Sequence, residues 1–231
     1  MRGLGTLINT ATVLAGGIAG RYVGHLIPER VRTTVVQVIG LATVVMGIDS
    51  VIDTHNLVFP LVGVAIGAVI GEVLRIDDRL ASLGEVLKRR FVRDDSSESS
   101  FVSGFVTATL LFCIGPLTIL GAIEDASGEF PSLYVIKATL DGVMALVFAS
   151  LYGIGAAFSA LSVLVVQGTL TVAGTGLDAL LDERMRVETF AAGGFAVLAI
   201  GFNLLDVTKI RLGSLLPGLV VTPVLVAIFA V

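Results

Sequence analysis

Cysteine occurs once in the 231 residues, as Cys113 within an apolar run, so there is no disulfide framework and no cysteine pair with metal-ligand spacing. Histidine occurs twice. His25 and His55 lie in loops at opposite ends of one apolar stretch, which keeps them from sharing a metal. Charge is also sparse: Asp, Glu, Lys and Arg make up 15% of the chain, for a net charge of −4. The basic residues are too few, and too clustered in short segments, to form a nucleic-acid-binding stripe. Missing as well are a Walker loop, an HExxH pair, a GxSxG elbow and any polar region large enough for a nucleotide domain. These absences argue against an enzyme, an ATP-driven pump, a bound cofactor, a metal centre and a nucleic-acid partner.

What remains is apolar. The chain is 55% hydrophobic and carries 27 glycines, a composition of membrane proteins, in which glycine is common in helices. A bilayer core roughly 30 Å thick takes about 20 apolar residues per helix. Uninterrupted apolar stretches predict eight spans, at 4–20, 35–51, 57–74, 101–123, 133–151, 152–173, 189–205 and 212–231. Seven is the alternative, because Ser150-Leu151-Tyr152-Gly153-Ile154-Gly155 offers a turn without charge between the fifth and sixth. The fold class expected is an all-α, polytopic transmembrane bundle in a lipid bilayer. The N-terminal stretch is read as the first membrane helix rather than a signal peptide, since Thr6, Asn9, Thr10 and Thr12 interrupt it and more hydrophobic spans follow.

One stretch looks interfacial. Residues 78–93 place Leu80, Leu83, Leu87 and Phe91 on one helical face and Lys88, Arg89, Arg90 and Arg93 at the end. The Ser-rich linker 94–100 follows. The chain thus divides into residues 1–76, the interfacial segment 77–100, a central pair of spans at 101–151, and 152–231. Short cytoplasmic loops carry the excess of Lys and Arg. An outside N-terminus puts eleven basic residues on the inner side and leaves only Arg2, Arg184 and Arg186 outside, with Lys137 within a span.

The first three spans resemble the last three. Gly5-Thr6-Leu7 recurs as Gly168-Thr169-Leu170, while Glu29-Arg30 and the glycines Gly40 and Gly47 recur at a shared offset of 154 as Glu183-Arg184, Gly194 and Gly201. Phe59-Pro60 matches Leu216-Pro217. Five spans separate the starts of the two copies, so they cross in opposite directions and form an inverted three-helix repeat. Secondary transporters are often built this way, with the substrate site near the midplane at interrupted helices. A duplication without a transport role is the other reading.

Within the spans, Lys137 and Asp141 stand four apart on one helical face. Ionisable residues inside a bilayer are expensive and usually paired or functional, so the pair reads as a substrate or proton-relay site, or as a lysine that snorkels outward with its counter-ion. Thr6 and Asn9 in the first span, and Gln167, Thr169 and Thr171 in the sixth, either line a polar path or hydrogen-bond between helices. A helix break at Gln167-Gly168 would aim backbone groups at a ligand. Gly115 and Pro116 mark a second break or kink, where Pro116 removes the bond to the Phe112 carbonyl. Glu124 and Asp125 read as solvated charges ending the fourth span. Stripes of small residues, Gly16, Gly20, Gly24 and Gly63, Gly67, Gly71, suit either an internal contact or a homo-oligomer interface, with a dimer favoured.

Gly5-Thr6-Leu7-Ile8-Asn9, Cys113-Ile114-Gly115-Pro116, Gly121-Ala122-Ile123-Glu124-Asp125, Lys137 with Leu140-Asp141-Gly142, and Gln167-Gly168 resemble the prokaryotic membrane proteins grouped as domain of unknown function 554, the YqgA-like family. The resemblance covers nearly the whole chain and departs only at the charged linker after the third span. It implies a multi-pass protein of the prokaryotic plasma (inner) membrane and carries over no catalytic residue. The expectation is a secondary transporter of a small solute or ion. An ion channel and a non-transporting scaffold or regulatory protein are the alternatives.

Overall fold

A computed structural model describes residues 2–91 and 98–229. Ten α-helices and two short 3₁₀ turns, Gly24–Leu26 and Leu212–Leu215, occur among them, with no strand. The helices are α1 (Leu4–Val23), α2 (Glu29–Ile52), α3 (Val58–Val73), α4 (Ile76–Phe91), α5 (Glu98–Cys113), α6 (Pro116–Ser127), α7 (Ser132–Tyr152), α8 (Gly155–Leu180), α9 (Glu183–Leu204) and α10 (Gly218–Phe229). The structure is thus an all-α polytopic bundle. Five segments, α2, α7, α8, α9 and Leu212–Phe229, are long and apolar enough to cross a membrane, and two broken pairs, α3 with α4 and α5 with α6, raise the number to seven. α1 falls short of this hydropathy because it carries Thr6, Asn9, Thr10 and Thr12. The uncharged turn at Gly153, where φ is 80°, does separate two helices. Much of the linker 94–100 lies outside the described residues.

Apolar side chains point outward, the reverse of a soluble core. On α3, Val69 is 65% and Val73 77% exposed, while Gly63, Gly67 and Gly71 are buried. In lipid, water does not drive helices together, so small residues that let backbones touch supply the packing energy.

The chain divides into two compact units. The first takes the residues up to Arg32, Leu80–Cys113 and Leu117–Asp178. Its centre is the parallel pair α1 and α7: a Cβ at Gly16 would lie 2.1 Å from the Gly142 carbonyl oxygen, and one at Gly20 2.1 Å from that of Leu146. α8 runs antiparallel to α1, with Gly17 against Ala157. α5 closes on α8 through Gly155, whose Cβ would meet the Phe101 carbonyl at 2.2 Å, and through the Thr109 to Ser162 hydroxyl bond of 3.0 Å. Leu87 of α4 is buried with Phe101 and Phe105, whereas Leu83 and Phe91 stay exposed, so only part of the apolar face of α4 is used within this unit.

Of the two breaks expected, one is present and one is not. α5 stops at Cys113 and α6 starts at Pro116, where a missing N–H costs nothing, and the two helices meet at 61°. Gly115, with φ +141°, makes the connection, and the Thr118 hydroxyl donates to the freed Phe112 carbonyl at 3.4 Å. This is a full break rather than a kink. At Gln167-Gly168 the expectation fails: α8 is continuous from Gly155 to Leu180. In a low-dielectric surrounding each helical hydrogen bond is hard to replace, so glycine alone does not break the ladder.

The second unit takes Thr33–Arg79, Ile114–Pro116 and the chain from Ala179 onward. α2 and α9 cross antiparallel with reciprocal glycines. A Cβ at Gly47 would lie 2.9 Å from the Gly194 oxygen and one at Gly194 2.9 Å from the Gly47 oxygen, while Gly40 and Gly201 face each other in the same way at 3.3 and 3.0 Å. α3 and α10 are also antiparallel, with Gly63 on Thr222, Gly67 on Gly218 and Gly71 on Ser214. At one end, Glu72 accepts from the Ser214 hydroxyl at 2.8 Å and Arg211 at 2.7 Å, and Asp77 accepts from the Gly213 N–H at 2.8 Å. At the other, Glu188, 2% exposed, accepts from the N–H groups of His55 and Asn56 at 3.0 and 2.9 Å and from the Thr54 hydroxyl.

Both glycine stripes are thus used inside their own units, Gly16, Gly20 and Gly24 on α7 and Gly63, Gly67 and Gly71 on the α10 side, and neither remains for a second copy. A Cβ at Gly67 would lie 2.2 Å from the Gly218 nitrogen, which is backbone and cannot turn aside, whereas Gly176 has nothing within 4 Å. Gly67→Ala is therefore expected to lower stability by about 1–3 kcal/mol through overpacking, and Gly176→Ala to leave it unchanged. Thermal unfolding of the two variants in detergent checks this.

Candidate functional site

The first unit holds a polar core built by α1, α7 and α8. Residues three and four apart share a helical face. Thr6 and Asn9 therefore project together from α1, Lys137 and Asp141 from α7, and Gln167 and Thr171 from α8. Because α8 is antiparallel to α1, the two form rungs. Thr6 and Thr171 meet hydroxyl to hydroxyl at 3.1 Å, and one turn deeper the Asn9 amide N–H donates to Gln167 Oε1 at 3.1 Å.

α7 completes the deeper rung. Lys137 Nζ donates to Asp141 Oδ2 at 2.7 Å, and Asn9 Nδ2 donates to the same oxygen at 2.9 Å. Asn9 and Gln167 are 0% exposed, Lys137 6% and Asp141 7%. The lysine does not snorkel outward; it is held inside by its counter-ion. Two buried atoms of the rung, Asn9 Oδ1 and Gln167 Nε2, have no hydrogen-bond partner among the described residues.

The upper rung is organised by Asp125 near the end of α6. Its carboxylate accepts from the N–H groups of Gly5 and Thr6 at 2.9 and 3.1 Å, from the Thr6 hydroxyl at 3.1 Å and from the Thr171 hydroxyl at 3.4 Å. α1 begins at Gly3 without a side-chain cap of its own. The carboxylate of another helix supplies that cap, and the positive end of the helix dipole favours its charge. The expectation of a solvated Asp125 is thus overturned: it is 0% exposed. Glu124 is half-buried and caps α7 instead, accepting from the Leu133 N–H at 2.8 Å and from the Ser132 hydroxyl.

Beside the upper rung lies a cavity of about 420 Å³, lined by Arg2, Thr6, Leu7, Gly168, Thr171 and Thr175 among others. It lies at the start of α1. Gly168 contributes space, since a Cβ there would meet only Thr6 Cγ2 at 4.0 Å. Thr169 does not join the site; it is exposed and donates to the Val165 carbonyl of its own helix at 2.7 Å. Of the sequence candidates, Thr6, Asn9, Lys137, Asp141 and Gln167 come together, Gly168 serves as a cavity wall rather than a break, and Thr169 falls away. Asp125 was the residue missed; its one signal was an uncapped first helix in need of an acceptor.

A second cavity of about 540 Å³ occurs in the second unit, lined by His55, Asn56, Phe59, Arg184, Glu188, Val226 and Phe229. Its buried carboxylate, Glu188, is already engaged by the loop at 54–56. No group of three or more His, Cys, Asp or Glu residues able to hold a metal ion occurs among the described residues.

The model of a family described as "Protein of unknown function (DUF554)" matches residues 4–227. The chain is 30% identical over 227 residues to the "Uncharacterized membrane protein YdfK" of Bacillus subtilis, covering 96% of this chain and 95% of that one. It is 28% identical over 218 residues to the "Uncharacterized protein YqgA" of Escherichia coli, covering 94% and 93% respectively. No solved structure matches.

Proposed function

The chain belongs to the DUF554 family of membrane proteins of unknown function, and on that premise we propose that it is a secondary transporter that carries a small polar solute or ion across the plasma membrane through the polar core of its first unit. The observation that carries this reading is the buried rung of Asn9, Lys137, Asp141 and Gln167, which retains an unpartnered acceptor and an unpartnered donor. A bundle that needed these groups only for packing would saturate them, because each unmet buried polar group costs about 1–3 kcal/mol. The cavity beside Thr6 and Thr171 is the entry path, and it faces outward if the basic loops lie inside.

The pairing of helices supports an inverted repeat. α1 packs antiparallel on α8, α2 on α9 and α3 on α10, so each helix of the first trio lies against the helix that resembles it. A pseudo-two-fold axis in the membrane plane would produce that arrangement, and at α2 and α9 the reciprocal glycines follow the offset seen in the sequence. Transport folds of this kind place the solute between the repeats.

The test is solute uptake by purified protein in liposomes, with Asn9→Leu as the control. The expected result is saturable uptake that Asn9→Leu abolishes while the variant still folds. Steady single-molecule currents would mean a channel. Uptake equal in the two proteins would remove the polar core from the path.

A further inference from the structure

The core of the first unit also points to a class of solute, and this step rests on the transport reading above. Asp141 Oδ2 accepts a hydrogen bond from Lys137 Nζ at 2.7 Å and is therefore an acceptor, so the group of Asn9 that approaches it at 2.9 Å is the amide nitrogen. With one Asn9 N–H on Asp141, the other points at Gln167 3.1 Å away, which must present its oxygen. The ion pair thus sets both amides. It leaves Asn9 Oδ1 as an acceptor and Gln167 Nε2 as a donor, both buried and both without a partner among the described residues.

The charges are accounted for. Lys137 and Asp141 neutralise each other, and Asp125 already accepts four hydrogen bonds from Gly5, Thr6 and Thr171. A bare cation arriving at the rung would face the N–H groups of Gln167. An anion would face the oxygen of Asn9. A neutral solute that carries both an N–H and a C=O matches the two without a charge to desolvate. We infer that the site selects a small neutral primary carboxamide or urea, bound with its N–H on Asn9 Oδ1 and its carbonyl on Gln167 Nε2. The cavity of about 420 Å³ is lined by Thr6, Gly168 and Thr171, one helical turn from the rung, and has room for a solute of one ring on its way to Asn9 and Gln167, which do not line it. Thr6 and Thr171 line the cavity one turn from the deeper rung, and their hydroxyls offer an arriving amide exchangeable partners.

A site built around an unpaired donor and acceptor rejects analogues that cannot serve both, because the analogue leaves buried groups unmet. The probe is radiolabelled nicotinamide, taken up by liposomes that contain the full chain. Its carboxylate analogue nicotinate has nearly the same shape and lacks the N–H. Wild-type uptake of nicotinamide is expected to be at least tenfold faster than that of nicotinate, and excess acetamide or urea, but not guanidinium or acetate, is expected to compete. Gln167→Glu replaces the unpartnered donor by an acceptor, and is expected to cost nicotinamide uptake tenfold or more. The competition series uses only wild-type protein and stands if that variant does not fold.

Uptake of nicotinate, potassium or guanidinium that exceeds nicotinamide uptake and needs Asn9 overturns the solute class and leaves the transport reading intact. If nothing in the series moves, and Asn9→Leu changes only the melting temperature, the carboxamide inference falls, and the transport reading stands or falls on the wider uptake test above.

Discussion

Lys137→Ala and Asp141→Ala, made singly, are each expected to destabilise the protein by about 3–5 kcal/mol, the usual cost of leaving a buried charge without its partner. The two side chains are only 7% and 10% exposed and meet at 2.7 Å, so solvent screening does little to soften the loss. Removal of Asp141 has a second consequence. It takes away the acceptor that orients Asn9, and with it the order of both amides. The double change Lys137→Met with Asp141→Leu removes both charges, and is expected to cost much less than the sum of the single changes. A double-mutant cycle by thermal or denaturant unfolding in detergent measures that coupling. A sum close to additive would mean that the two charges do not depend on each other, contrary to the geometry. Uptake is expected to be lost in the double variant even where stability is recovered, because Asn9 has then lost the partner that fixes its amide.

The second large effect is expected at Asp125. Hydrogen bonds to a charged group contribute about 1.5–3 kcal/mol each, and this carboxylate receives four from three residues of two helices. Asp125→Ala leaves the first N–H groups of α1 buried and unmet and is expected to cost about 3 kcal/mol or more. Asp125→Asn falls between, since one amide oxygen still accepts while the new N–H₂ meets donors. Hydrogen exchange gives the local readout: the amides of Gly5 and Thr6 exchange faster in Asp125→Ala while those of α9, in the other unit, do not change. Protection unchanged at α1 would show that the cap is not what holds that helix end.

How far the site was legible in the sequence depends on the residue. Lys137 and Asp141 are conspicuous because a bilayer makes any charge costly, and their spacing already specifies that they touch. Asn9 and Gln167 are less so, since amides also serve ordinary interhelical bonding, and 158 residues separate them. Thr169 carries the same repeated motif as Thr6, yet it faces outward. The motif records a resemblance between helices, whereas the face of a helix that is buried depends on what packs there. Asp125 was misread because a carboxylate at a helix end is normally solvated, and nothing near it in sequence shows that the start of another helix lies against it. The break at Gly168 failed on the energetics of unmet hydrogen bonds, and the one at Gly115-Pro116 held because proline forbids the bond outright.

An all-helical membrane protein with a paired charge inside it follows from local terms alone: apolar length against the thickness of the bilayer, and the cost of an ion in lipid. Which polar residues share one site, the capping of α1 by Asp125 from another helix, and the filling of the glycine stripes from within emerge only once the helices are packed. Those facts depend on contacts between helices distant in sequence, and in lipid such contacts are set by shape and hydrogen bonding rather than by hydrophobic pattern.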